Sequence, residues 1–224
     1  MFKHLFPTLL IPVLLLGAGC AQTQEAQVDT SMEAETMMEE VSFENGSYIL
    51  ASQESSIAWE ASKRVGATHN GTVNAQEGAL MVEQGAIIGG SIVADMTTIV
   101  DFDLDNEAMN EGLVNHLKSD DFFSVATYST ASFAISEVAA LQGIEGATHR
   151  IDGTMIIKGI ENEVSFPASI EETETGLRLV GTLTLDRTLW DVRFGSDKFF
   201  DNLGDGLIED EFMLDVNMLF VRGE

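Results

Sequence analysis

Along residues 47–224, apolar and polar side chains alternate with a period of two in one short run after another. Ile88, Gly90, Ile92, Ala94 and Met96 share one face, with Ser91 and Asp95 on the other. Ile151, Gly153, Met155 and Ile157 stand opposite Arg150, Asp152 and Thr154. Leu177, Leu179, Gly181, Leu183 and Leu185 face away from Arg178, Thr182, Thr184 and Asp186, and Phe212, Leu214, Val216, Met218 and Phe220 away from Asp215 and Asn217. Successive side chains of a pleated chain point to opposite sides, so each run predicts a strand with one buried face. Turn-forming pairs punctuate the region: Asn70-Gly71, Glu77-Gly78, Gln84-Gly85, Gln142-Gly143, Lys158-Gly159 and Thr175-Gly176. Many antiparallel strands with one wet face predict an all-β fold, either a sandwich or a closed barrel. A helical spacing appears only between residues 105 and 118, where Met109, Leu113 and Leu117 recur every four residues. Asp105 suits the N-cap and Lys118 the C-terminal end of the dipole. With Phe122 and Phe123 directly after it, this helix is placed to close one end of a barrel.

Gly90, Gly153 and Gly181 each interrupt an apolar face of larger residues, although glycine inside a strand packs nothing and weakens it. In a barrel of about eight strands, wide enough for one slim ligand, such positions leave a hollow. They serve equally as bends that let the sheet coil, and both roles are compatible.

The N-terminus carries a different signal. Lys3 and His4 precede an apolar run over residues 5–16, then Gly17-Ala18-Gly19-Cys20. That run is short for a membrane span and has small residues before the cut point, which is the layout of a secretory signal peptide. Leu16 and the small residues before Cys20 resemble the lipobox of bacterial lipoproteins, with the leucine four residues before the cysteine where the usual pattern has three. Cys20 is the single cysteine, so an intramolecular disulfide is excluded. On this reading residues 1–19 are removed and Cys20 carries the acyl chains, whose number exceeds what stable anchoring needs. The expected location is the bacterial cell envelope, with Ala21 after the cysteine favouring the outer membrane, facing the periplasm. The plainer alternative is an ordinary secretory peptide with Cys20 incidental.

Acidic residues number 37 against 11 basic ones, a net charge of −26. Such a surface repels nucleic acid and favours solubility. Residues 20–46 hold acids such as Glu25, Asp29, Glu33 and Glu35, no base and few large apolar side chains. They predict a flexible linker with a reach on the order of 25–30 Å. Residues 47–224 then form one domain of ordinary size.

The strand region also resembles the YceI-like domain family. The resemblance covers residues 48–221 and is carried by Ser56-Ile57-Ala58-Trp59-Glu60-Ala61-Ser62-Lys63, His69-Asn70-Gly71-Thr72-Val73 and Gly89-Gly90-Ser91-Ile92-Val93-Ala94-Asp95-Met96. Further carriers are residues 113–123 (LVNHLKSDDFF), Ala131-Ser132-Phe133, residues 151–159 (IDGTMIIKG), Asp186-Arg187-Thr188 and residues 199–205 (FFDNLGD). Ala61 stands where the family often has glycine. The resemblance implies an eight-stranded antiparallel β-barrel of lipocalin-like shape. It also implies an apolar tunnel for long isoprenoid or fatty-acyl chains, and no catalytic residues.

A hydrocarbon tunnel suffices for such a ligand, since each buried methylene is worth roughly 0.8 kcal/mol. Parity places Ile88, Ile92, Phe133, Met155, Leu183, Leu214 and Met218 on the wall, with Gly90, Gly153 and Gly181 making room. Taken singly, each apolar residue is better explained by plain core packing, and the tunnel reading rests on the set. The competing chemistry lies in His69, His116 and His149, which could meet Asp95 or Asp120 around a metal in an envelope enzyme. None of them forms an H-x-H or H-E-x-x-H pair, and Ser119 and Ser196 lack a nucleophile-elbow context. Asp186, Arg187 and Arg193 read as a strand-end ion-pair cluster or as contacts to a ligand head group. The expectation is therefore a membrane-anchored, non-enzymatic protein that binds or carries a long-chain apolar lipid. It includes no metal and no cofactor besides that lipid. A metal-dependent enzyme and a ligand-free structural domain are the alternatives, and monomer and homodimer both stay open.

Overall fold

The computed structural model describes residues 42–223. The expected signal peptide, Cys20 and residues 20–41 of the expected linker lie outside them. Among the described residues the chain forms β1 (Gly46–Leu50), β2 (Ser56–Lys63), β3 (Thr68–Glu83), β4 (Ala86–Asp101), α1 (Glu107–Lys118), β5 (Thr130–Ala140), β6 (His149–Ile157), β7 (Ile160–Glu172), β8 (Gly176–Asp186) and β9 (Ile208–Arg222).

These segments make a closed antiparallel barrel with eight positions around its circumference. β1 and β2 are two halves of one stave. Each pairs with both β3 and β9, β1 through Tyr48 opposite Leu80 and Arg222, β2 through Trp59 opposite Gly71 and Leu214. The break between them is a 3-10 turn at Ser52–Glu54. Ser55 fixes it, donating from Oγ to Ala51 O (2.9 Å) while accepting from Leu219 N (3.0 Å). From β9 the order runs β8, β7, β6, β5, β4, and β4 pairs with β3 to complete the circle. No strand edge is then left open over the paired length.

Local chemistry explains the tightest connections. Gln84-Gly85 and Lys158-Gly159 are two-residue hairpins whose central residues all have positive φ, between 52° and 81°. That geometry matches the twist of the flanking strands and is cheapest with glycine at the second position. By contrast, Asn70-Gly71 and Glu77-Gly78 are not turns. β3 passes through both, with register shifts against β4 at Thr72/Asn74 and Ala75/Glu77. Gly71 is there because a Cβ would stand 1.8 Å from Val100 O.

The helix begins one residue later than expected. Asn106, not Asp105, is the N-cap, with its Oδ1 accepting from Met109 N at 3.0 Å. Leu117 is the buried residue of α1, whereas Met109 is 61% exposed and takes no part in the packed face. Antiparallel alternation puts α1 and residues 64–67, 158–159 and 187–207 at one end of the barrel, the helix end. Residues 84–85, 141–148 and 173–175 lie at the far end.

Candidate functional site

The two ends of the barrel interior differ. Near the far end Tyr48, Leu80, Val82, Ile87, Ile151, Ile170, Leu177 and Phe220 are all buried and pack into one continuous core. None of them borders the hollow of the helix half. The helix half instead encloses a hollow of about 160 Å³. Its wall is built by Ile57, Trp59 and Ala61 of β2, by Ile92, Ala94, Met96 and Ile99 of β4, and by Phe133 of β5 with Met155 of β6. Leu183 of β8 and Phe212, Leu214, Val216 and Met218 of β9 complete it, and Leu117, Phe122 and Phe123 stand at the helix end. Ile92, Phe123, Phe212, Leu214 and Val216 pack on the core yet stay partly accessible, because their free faces border this hollow. The pocket is thus blind at the far end, where a tunnel was expected.

Of the residues expected on the wall, Ile92, Phe133, Met155, Leu183, Leu214 and Met218 line it. Ile88 does not. It is 52% exposed on the outer surface, while Ile87 is buried in the core. Pairing passes from Met81/Gly89 to Val82/Ile87, so Ile88 is an extra residue in a β-bulge. One extra residue reverses the parity of everything before it.

The three glycines lie on interior parity but make room for atoms of the protein. A Cβ at Gly90 would meet Ala79 O and Leu80 Cδ2, both at 2.6 Å, one at Gly153 Ala134 O at 2.3 Å and the Phe133 ring at 2.6 Å, and one at Gly181 the Phe166 ring at 3.0 Å. Those two rings pack together with centroids 5.7 Å apart and both line the hollow. Gly153 and Gly181 therefore shape the pocket through the aromatic rings beside them, Gly90 admits Leu80 of the packed core, and none of the three is itself a lining residue.

Phe166, Val192, Ile99 and Trp59 were not singled out for the wall. The alternation Val164, Phe166, Ala168, Ile170 in β7 would have revealed the first. Val192 lies in an irregular loop, where no period exists to read.

The charge inside the wall is already spent. Arg187 is buried and donates from Nε to Glu209 O (3.0 Å) and from Nη1 to Val192 O (2.8 Å) and Phe194 O (2.9 Å). Its Nη2 donates to Ile208 O (3.1 Å) and to Asp210 Oδ1 (3.3 Å). Burial holds this guanidinium below its usual range, against the pull of Asp210 and Asp186. All five N–H groups have acceptors, so Arg187 ties the β8–β9 connection together and offers nothing to an anionic head group. Its neighbours behave alike: Lys198 pairs with Asp186 and Asp210, and Arg193 with Asp191. The cluster is one of strand-end ion pairs.

The histidines do not converge. His69 opens β3 and His116 ends α1, both at the helix end, whereas His149 starts β6 at the far end. His116 pairs with Asp121 (3.2 Å) and packs edge-on against Phe122 and Phe194. His149 meets Thr148 Oγ1 at 2.8 Å, and burial lowers its pKa. Among the described residues, His69 is the histidine that stands with two carboxylates, those of Asp101 and Asp103, and neither of these is a residue the sequence singles out. Asp95 caps its own turn through Thr97 and Thr98 instead.

A blind apolar pocket in an eight-position barrel, roofed by one short helix, sits within a chain whose residues 48–220 match the YceI-like domain model. The chain belongs to the YceI-like domain family. Two solved structures share the fold of this YceI-like barrel. BcnA of Burkholderia cenocepacia is 18% identical, with a TM-score of 0.57 over 75% of this chain and 98% of that one. A polyisoprenoid binding domain from Saccharophagus degradans, implicated in plant cell wall breakdown, is 13% identical, with a TM-score of 0.58 over 80% of this chain and all of that one. No curated protein sequence matches this YceI-like chain.

Proposed function

We propose that this YceI-like barrel binds a long-chain apolar lipid, an isoprenoid, isoprenoid quinone or fatty-acyl species, and carries or sequesters it without catalysis. The observation that carries this reading is the hollow in the helix half, walled by aliphatic and aromatic side chains, with its one charged group, Arg187, fully engaged by the protein. The polyisoprenoid binding of the Saccharophagus domain points the same way. A pocket of about 160 Å³ is close in size to apolar cavities that accept a benzene-sized guest, so it selects a slim chain. Met96, Met155 and Met218 are unbranched wall residues able to repack around a longer stretch of it. Each methylene taken in contributes roughly 0.8 kcal/mol, and the blind far end makes the chain enter tail first from the helix end.

In the same proposal, lipidated Cys20 holds the domain at the outer membrane on the periplasmic side, within a linker's reach of its ligand. The test is extraction of the purified full chain into organic solvent followed by mass spectrometry, beside titration with a fluorescent farnesyl probe. A co-purifying isoprenoid or fatty-acyl species and saturable probe binding are expected. An empty extract with no probe binding overturns the proposal and leaves the ligand-free structural domain.

A further inference from the structure

Outside the lipid pocket, one polar cluster is built unlike a surface salt bridge. Asp101 ends β4, and it is 6% exposed. Its Oδ1 accepts from Leu104 N (3.0 Å) and from Asn110 Nδ2 of α1 (3.0 Å). Its Oδ2 is buried and accepts from no N–H or O–H donor among the described residues, and burial together with the neighbouring Asp103 carboxyl raises the Asp101 carboxyl above its usual range. A buried carboxylate oxygen without a donor is costly unless a proton or a cation meets it.

Two further ligating groups face the same point. Asp103 lies across the turn, with Oδ1 accepting from Asn70 N (3.0 Å) and Oδ2 3.0 Å from His69 Nδ1. One donor atom each from His69, Asp101 and Asp103 falls within 4.8 Å of the others. Arg and Lys are absent from the ion pairs of this cluster, whose one basic partner is His69. Three strand and turn segments therefore deliver an imidazole and two carboxylates to one place, and the buried member is held there by backbone and helix donors.

We propose that His69, Asp101 and Asp103 form a binding site for a single divalent cation of the zinc or manganese class. Imidazole with two carboxylates is the donor set such borderline cations take in preference to magnesium or calcium. Asp101 Oδ2 supplies the buried ligand, and the partly exposed sides of His69 and Asp103 leave room for water to complete the coordination. Because Asp101 also holds Asn110, through its backbone oxygen (2.9 Å) as well as Oδ1, the ion fastens the start of α1 to β3 and β4. That is the helix whose Leu117 borders the lipid pocket.

Titration of the purified full chain with zinc chloride and with manganese chloride tests the site. One saturable equivalent is expected for at least one of the two. The unfolding midpoint should rise by about 5–10 °C at a hundredfold excess over Kd. His69→Ala and Asp103→Asn, both at partly exposed positions, should keep the fold and weaken binding at least tenfold, while Glu111→Gln on the outer face of α1 leaves it unchanged. Asp101→Asn also loosens the turn it supports, so the other two variants decide. No saturable site for either ion, or binding that survives in both His69→Ala and Asp103→Asn, overturns the proposal and reduces the uptake to general surface acidity.

Discussion

At the scale of single residues, the interior contains polar groups that look available and are not. Arg187 borders the apolar pocket, yet every N–H it has is directed at a backbone carbonyl or at Asp210. Replacing it with methionine, Arg187→Met, keeps much of the stem and removes all five donors. The carbonyls of Val192, Phe194, Ile208 and Glu209 are then left without that partner, as is a partly buried Asp210. A loss of about 3–5 kcal/mol in stability is expected, measured by urea unfolding. Probe affinity of the fraction still folded should be unchanged, since the guanidinium makes no demand on the ligand. A specific fall in that affinity would instead assign Arg187 to head-group recognition. Arg187 was legible as a strand-end cation beside Asp186. Its occupation by four carbonyls was not, because backbone acceptors leave no trace in side-chain identity.

At the scale of elements, parity was read correctly in the regular runs and failed where a strand carries an extra residue. β8 obeys it throughout, with Leu177, Leu179, Leu183 and Leu185 buried. In β4 the bulge at Ile88 reverses it, and nothing in Ile87-Ile88 distinguishes the inward residue from the outward one. Gly181 shows what the glycines do. A Cβ there would stand 3.0 Å from the Phe166 ring and 3.2 Å from Ala168 Cβ, so Gly181→Leu crowds a ring that lines the pocket. Overpacking of this kind costs about 1–3 kcal/mol. The expected result is a folded barrel with a lower unfolding midpoint and reduced uptake of the farnesyl probe, read by fluorescence titration. Unchanged uptake would mean that the Phe166 ring does not govern the width of the hollow.

At the scale of the whole molecule, closure makes the barrel, and packing decides which half of it is hollow. The proposed function also divides the chain into an anchor, a linker and a binding domain that act separately. Cys20→Ser should therefore release a soluble protein that binds the farnesyl probe as tightly as the anchored form, compared in membrane-free and membrane fractions. Loss of binding along with the anchor would show that the division near residue 46 is wrong. By itself the sequence determined the all-β class, the one α-helix among the described residues and six of the residues that line the hollow, because alternation and four-residue spacing are local consequences of backbone geometry. It determined the family as well, through the order of motifs such as residues 113–123 and 151–159. Only the tertiary structure decided that β1 and β2 share one stave, that the pocket is blind, and that Gly153 and Gly181 seat aromatic rings. It alone brought His69 to Asp101 and Asp103. These features depend on register across strands distant in sequence, and a shift of one residue there changes which side chains meet without changing the pattern along the chain.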